Sequence, residues 1–285
     1  MKSSNPKHIH SMIKSNRVKV KKRFGQNFLI DDNILKKIVE TAEIDKDTFV
    51  VEIGPGLGSL TERLIPKAKH VLAYEIDTDL IPVLNSMFNE NNFSLINADV
   101  LDRDIDADIK AIDAQVKDVV VIANLPYYIT TPILMKCLET TKLISKMVVM
   151  MQYEVAKRIT ASTHTKDYNA LSIAVQYRAE TKLTFKVPKS VFIPAPNVDS
   201  AVVSLAFHNR YHDAVLSEPF FFAFVKAAFK QRRKTLLNNL YELLNIDKIR
   251  LSEILEILNV HPQVRADKLS LETYITLANY FYQIK

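Results

Sequence analysis

Between residues 48 and 151, short apolar runs at 48–53, 70–74, 93–96, 118–123 and 146–151 alternate with segments whose apolar residues recur at helical spacing. This alternation constrains the fold more than any other feature. Strands that each hand over to a helix pair in parallel, and their sheet needs helices on both faces. The run 118–123 is apolar almost throughout, as expected of a strand buried on both sides. Among the intervening segments, Asp32 caps a helix that carries Ile34, Leu35, Ile38, Val39 and Ala42 on one face. Ser59 and Glu62 have capping-box spacing and open a second helix. Further helices are predicted over 80–88, from Pro132 and from Glu154.

Beyond residue 180 the pattern changes. Two more strands, 182–187 and 200–207, flank the proline-rich segment 188–196, which is too short for a helical crossover and predicts antiparallel pairing. The polar stretch HNRYHD from His208 reads as a linker, and the chain after it is helical. One stripe there holds Phe220, Phe221, Phe224, Val225 and Ala228, and another holds Leu236, Leu240 and Leu243. The phenylalanine stripe reads as core rather than as a ligand box. The expected organisation is a flexible basic tail over 1–20, an α/β domain over 21–207 and a helical domain over 208–285.

Composition narrows the setting. A 48% apolar share supports a packed core, and the single cysteine, Cys137, excludes a disulfide framework. Cys137 lies on an apolar helical stretch and reads as a core thiol. No apolar run approaches the roughly 18 residues that span a bilayer, and the basic N-terminus lacks the apolar segment of a secretory signal. The expectation is a cytoplasmic protein with no membrane partner. The seven histidines show no ligand spacing, so no metal site is expected.

The formal net charge of +6 is concentrated. Residues 1–30 contain no acid, and Lys14, Arg17, Lys19, Lys21, Lys22 and Arg23 crowd together. A second acid-free stretch, 219–241, holds Lys226, Lys230, Arg232, Arg233 and Lys234. Two such clusters suit a polyanion such as RNA, held through its phosphates. A solvated tail and an ordinary solvated helix face are the alternative.

The first strand ends in Val51-Glu52-Ile53-Gly54-Pro55-Gly56-Leu57-Gly58. Closely spaced glycines at the carboxyl edge of a parallel sheet let backbone approach a ligand. A dinucleotide fingerprint requires G-x-G-x-x-G, yet Ser59 stands where its third glycine belongs. The G-x-G-x-G spacing suits a cofactor without a phosphate, such as S-adenosylmethionine. Glu75, at the end of the second strand, is placed for a ribose diol, and Asp99, after the third, for an adenine amino group. Each acid alone is also an ordinary strand-end residue.

After the fourth strand comes Asn124-Leu125-Pro126-Tyr127-Tyr128. The amino group of adenine is a poor nucleophile because its lone pair is delocalised into the ring. Two acceptors aimed at its N–H groups draw the nitrogen toward tetrahedral geometry. The Asn124 side-chain oxygen and the Leu125 carbonyl can supply them, and Pro126 restricts Leu125 to extended conformations that aim that carbonyl. Tyr127 offers a ring for stacking. Phe192, in FIPAP, has two readings of equal weight: a second aromatic wall facing an extruded base, or a core residue.

At these residues the chain resembles the KsgA-type ribosomal RNA adenine dimethyltransferases, over nearly its whole length. The motifs are KKRFGQNFLID (21–31), VEIGPGLGSLT (51–61), ANLPYYITTP (123–132), FIPAPNVDSAVV (192–203) and QRRKTLLNNL (231–240). The resemblance implies a Rossmann-like S-adenosylmethionine-dependent methyltransferase fold: a mostly parallel seven-stranded sheet with its last strand antiparallel, followed by a small all-α C-terminal domain that binds rRNA. It implies a monomer that dimethylates, at N6, two adjacent adenosines in the 3′-terminal hairpin loop of 16S rRNA, within the immature 30S subunit, as part of ribosome biogenesis. Gln26, Asn27, Leu29, Gly54 and Gly56 would then line the cofactor site with Glu75, Ile76, Asp99, Val100 and Asn124. Asn124, Leu125, Pro126, Tyr127 and Phe192 would form the catalytic element, and Lys21, Lys22, Arg23, Lys230, Arg232, Arg233 and Lys234 would meet RNA. The sequence departs from the family's pattern at Tyr153, where a lysine is expected, which leaves that position's role open.

Three alternatives remain. A sister family methylates one adenosine of large-subunit rRNA and confers antibiotic resistance, but it typically reads Asn-Ile-Pro-Tyr; Leu125 and QRRKTLLNNL favour the small-subunit reading. An RNA-binding assembly factor without turnover is disfavoured by the intact Asn124–Tyr127 turn. A nicotinamide dehydrogenase is disfavoured by the missing third glycine.

Overall fold

A computed structural model describes Lys21 and residues 24–284 of the chain. The expectations for the tail, for Lys22 and for Arg23 lie outside the described residues. The chain divides into two compact units, one containing residues up to Ala156 with Thr181–Phe207, the other Lys157–Glu180 with His208 onward.

In chain order the first unit builds β1 (Phe28–Leu29), α1 (Asp32–Ala42), β2 (Phe49–Ile53), α2 (Thr61–Leu64), β3 (His70–Glu75), α3 (Ile81–Met87), β4 (Phe93–Asn97), α4 (Ile105–Ile112), β5 (Val119–Asn124), α5 (Thr130–Thr140) and β6 (Ile144–Gln152). After α6 (Tyr153–Ile159) and α7 (Ala170–Gln176), the chain adds β7 (Ala179–Val187), β8 (Phe192–Ile193) and β9 (Ser200–Phe207). One seven-stranded sheet has the order β4-β3-β2-β5-β6-β9-β7. Pairing is parallel from β4 through β6, and β9 runs antiparallel to β6. The final strand thus inserts between β6 and β7. Strand order reverses between β2 and β5, and a crevice for ligands opens at their carboxyl ends. Beside the sheet, β1 and β8 form a separate antiparallel pair, with Leu29 opposite Phe192.

Local chemistry explains where elements begin. Asp31, not Asp32, caps α1: its extended backbone lets the carboxylate accept from the N–H groups of Asn33 and Ile34. Asp32 instead pairs with Arg63 and Lys36, and these partners pull its carboxyl down to about 2. The capping box predicted at Ser59 does not form, because Leu60 is already helical and α2 has no side-chain cap. Helix α5 begins at Thr130, so Pro132 sits in its first turn, where its missing N–H is harmless.

Helix α1 buries Leu35, Ile38, Val39 and Ala42 in a cluster with Val50, Val120, Ile122, Val148, Met150 and Val202 of the sheet. Each large side chain so buried is worth about 1.5–3 kcal/mol. Cys137 is fully buried on α5, and burial pushes its thiol up to about 12.

The second unit contains α7, α8 (Glu218–Ala228), α9 (Leu236–Leu244), α10 (Lys248–Ile257) and α11 (Leu271–Gln283). Ser217, Thr235, Asp247 and Ser270 each cap the helix that follows with a side-chain oxygen. Phe221, Phe224, Val225 and Ala228 are core, whereas Phe220 is only partly buried. On α9 it is Leu244 that is buried and Leu243 that is partly exposed, so the stripe drifts by one position from the expected one. The segment 157–180 groups with these helices, although the sequence reading placed it with the α/β domain. Tyr168, Ile173 and Tyr177 share a cluster with Phe221 and Phe224, a long-range packing that local periodicity does not encode. Among the described residues, no helix is long and apolar enough to cross a membrane, and no group of side chains could hold a metal ion.

Candidate active site

The crevice at the carboxyl ends of β2 and β5 is a pocket in the first unit. Its lining includes Gln26, Asn27, Leu29, Gly54, Gly56, Glu75, Ile76, Asp99, Val100 and Asn124, together with Leu125, Pro126 and Tyr127. Five separate stretches of chain thereby meet at one place.

The glycine turn forms the floor. Gly54 has φ +71°, and a Cβ there would meet nothing within 4 Å, so its backbone faces open space. Gly58 has φ +75°, and a Cβ there would stand 2.3 Å from the Phe88 ring, so only glycine fits beneath α3. The Gly56 N–H donates to Glu75 Oε2 at 3.1 Å, and the Asp77 N–H donates to Glu75 Oε1 at 2.9 Å. Glu75 is thus fixed on both oxygens, and burial nonetheless pushes its carboxyl above the usual range. Asp99 accepts from the Leu101 N–H at 2.9 Å, which fixes its orientation at the turn after β4.

Glu52, which the sequence reading left unassigned, also lines the pocket. It is 1% exposed, one residue from the carboxyl end of β2, and accepts a 2.6 Å hydrogen bond from the Thr61 hydroxyl. Burial, reinforced by the charge of Glu75, pushes it up to about 8 against the opposing Thr61 bond. An acid inside an otherwise apolar strand was the available signal. Phe24, Gly25, Phe28 and Tyr128 also line the pocket without having been singled out. Tyr128 is 56% exposed, and its ring lies against Gly25.

The turn after β5 is held from several sides. Asn124 Nδ2 donates to the Asn27 carbonyl at 3.2 Å, which leaves Oδ1 as the acceptor end of the amide. The Leu125 N–H donates to the Met150 carbonyl inside the sheet, and the Thr130 hydroxyl donates to the Pro126 carbonyl. The Tyr127 hydroxyl shares a 2.7 Å hydrogen bond with Ser200 on β9, which anchors its ring.

Other expected residues lie elsewhere. Phe192 is 3% exposed and packs in the cluster that contains Leu29 and Val202, apart from the pocket lining. Its pairing through β8 turns it toward the core, which is the second of its two sequence readings. Lys21 forms ion pairs with Asp77 and Asp79, so its charge is already engaged by the fold. In the second unit, Lys230, Arg232, Arg233 and Lys234 are exposed around the turn that joins α8 to α9. There Lys230 pairs with Glu242, and Arg232 donates to the Lys166 carbonyl. Tyr153 donates its N–H to the Asp199 carbonyl, and Lys186 lies over its ring at 5.0 Å.

The chain matches the family model described as ribosomal RNA adenine dimethylase over residues 17–283. A Bacillus pumilus (strain SAFR-032) protein described as "Ribosomal RNA small subunit methyltransferase A" is 47% identical over 263 residues, covering 91% of this chain and 90% of that protein. A Streptococcus agalactiae serotype V protein of the same description is 48% identical, covering 91% of each. The crystal structure of a dimethyladenosine transferase from Plasmodium falciparum is similar with a TM-score of 0.78 at 26% identity, covering 90% of this chain and 98% of that one. The structure of the 23S rRNA methyltransferase ErmE follows at 0.67 and 25%, covering 90% and 100%.

Proposed function

The chain belongs to the ribosomal RNA adenine dimethylase family, and from that premise we propose that it is an S-adenosylmethionine-dependent dimethyltransferase of small-subunit rRNA. Its substrate is a pair of adjacent adenosines in the 3′-terminal hairpin loop, methylated at N6 in the immature 30S subunit. It acts as a monomer in the cytoplasm, with the α/β unit carrying the chemistry and the helical unit carrying rRNA contacts.

One observation supports the cofactor most directly. The pocket presents Glu52, Glu75 and Asp99, and none of its described lining residues is Lys, Arg or His. A pyrophosphate would meet the carboxyls of Glu75 and Asp99 and, among the described lining residues, no cation, whereas a positively charged cofactor without phosphate fits. Glu75 would take a ribose diol, Asp99 an adenine amino group, and the glycine turn the amino-acid end. Apolar Ile76 and Val100 flank the same space and would sandwich a purine. When bound, S-adenosylmethionine supplies a methyl group activated by its sulfonium.

The chain's own residues do the rest. The Asn124 Oδ1, freed by the bond that its Nδ2 makes to Asn27, accepts from one N–H of the target amine. The Leu125 carbonyl accepts from the other. Together they hold the nitrogen in a geometry that localises its lone pair, which is alignment and electrostatics rather than base catalysis. Tyr127, braced by Ser200, offers its ring to the base. The exposed Arg232, Arg233 and Lys234 supply phosphate contacts.

The test is tritium transfer from labelled cofactor to immature small subunits from cells that lack this gene, followed by mapping of N6,N6-dimethyladenosine. Dimethylation of both adenosines in the 3′-terminal loop is the expected result. No transfer, or modification of large-subunit rRNA instead, would overturn the proposal.

A further inference from the structure

Asp77 follows Glu75 but is absent from the pocket lining, and it is 1% exposed. A carboxylate that deeply buried must be satisfied by the fold, and both of its side-chain partners come from one segment. Its Oδ2 accepts from Gln26 Nε2 at 2.7 Å, and its Oδ1 accepts from Lys21 Nζ and from the Asp79 N–H. The Lys21 N–H closes the ring by donating to Gln26 Oε1 at 2.8 Å. Burial pushes the carboxyl up, but the bonds from Lys21 and Gln26 outweigh it and hold Asp77 ionised below its ordinary range.

The segment held in this way is the one that carries Asn27. Its far end is fixed independently, by the β1–β8 pairing and by the bond from the Ile30 N–H to the Val191 carbonyl. Between the two fixed ends, the Asn27 carbonyl receives Asn124 Nδ2, the bond that, among the described residues, decides which end of the Asn124 amide faces the pocket. On the other side, the Asp77 N–H holds Glu75. One residue therefore joins the strap over the pocket to the acid inside it.

We propose that Asp77 is a positioning residue: through Gln26 it clamps residues 24–29 over the pocket, and through Asn27 it orients the Asn124 amide. The second half rests on the role given above to Asn124; the first half does not. If Asp77 is lost, Gln26 loses its acceptor, and the near end of the strap is left to the Lys21–Asp79 pair, whose carboxylate is half exposed.

The experiment compares the full-length protein with its Asp77→Ala and Asp77→Asn variants. Hydrogen exchange of the ligand-free proteins tests the clamp without any methyl transfer. In Asp77→Ala, peptides spanning 24–30 should exchange at least about 10-fold faster, while peptides in β2 and β5 stay protected. Unchanged exchange across 24–30 would overturn the clamp. Steady-state kinetics on small subunits then test the orientation of Asn124. Asp77→Ala should lower kcat by roughly 10- to 100-fold at saturating cofactor, the expected range for a misplaced catalytic group. Asp77→Asn, whose amide oxygen still accepts from Gln26, should recover part of that loss. A raised cofactor KM with kcat intact would reduce the strap to cofactor capture and overturn the orientation of Asn124, and an equal loss in both variants would overturn the assignment to the Gln26 bond. Should the unmodified protein transfer no methyl, the proposed function fails while the exchange result still decides the clamp.

Discussion

At the amino-terminal edge of the sheet, Asp45 accepts from the N–H groups of Asp47 and Thr48 and from the Thr48 hydroxyl, and Asp113 accepts from Lys69. Backbone N–H and hydroxyl donors hold the first carboxyl below its ordinary range, and the Lys69 ammonium leads the donors that do so for the second. At the opposite edge of the same strands, burial drives Glu52 and Glu75 upward. At the first edge, donors from the chain outweigh burial. At the other, the chain also supplies donors to Glu52 and Glu75, but burial beside the pocket outweighs them, and no cation stands among the described lining residues. Acids of the first kind tie loops together, and an acid of the second kind gives up its proton more readily once a positive charge arrives beside it.

The largest effect should come from the pocket edge. Asn124→Ala removes the acceptor that the proposed mechanism gives to the reacting amine, and kcat should fall by at least about 100-fold with only a modest loss of cofactor affinity. Near-normal turnover of that variant would sink the mechanism.

The contrast is next sharpened through stability. Glu52 titrates near 8 when folded and near 4.5 as an unperturbed carboxyl. The folded protein therefore binds the extra proton between those values. The resulting stabilisation is complete below about 4.5 and is lost as pH rises through about 8. Tm should fall from pH 6 to pH 9 with a stability loss on the order of a few kcal/mol, and Glu52→Gln should remove most of that fall. Parallel slopes in the two proteins would show that Glu52 does not carry the proton.

In the second unit the cations face solvent and should act by number. Replacing Arg232, Arg233 and Lys234 by glutamine should weaken rRNA binding and make its log–log salt slope shallower by up to about 3. An unchanged slope would remove these residues from the phosphate-contacting set. The smallest effect belongs to the closed edge: Lys69→Met should leave kcat unaltered and move Tm only slightly, because surface ion pairs contribute little. A large loss of turnover there would erase the distinction between the two edges.

Much of this was legible in the sequence wherever one local rule dominates. Apolar runs of strand length gave the parallel strands, and spaced glycines marked the turn under the pocket. The acids at strand ends were legible because ligands of such a sheet bind in the crevice beyond the strands' carboxyl ends. Asp77 was not legible, since its partners Lys21 and Gln26 lie far away along the chain and nothing local signals their meeting. Asp31 and Asp32 are chemically identical neighbours, and only backbone geometry decides which one caps. Phe192 kept two readings because its burial depends on the pairing of two-residue strands, too short to leave a pattern. The grouping of 157–180 with the later helices is likewise a matter of packing at long range.

The position of β9 bears on how this protein is made. The turn after β5 leaves the ribosome early, but the hydroxyl that braces Tyr127 belongs to Ser200, and the strand that pairs with β1 begins at Phe192. Both walls of the pocket therefore wait for a late stretch of the nascent chain, which must thread its last strand between two others already synthesised. The pocket is thus complete only when translation of the first unit is nearly over.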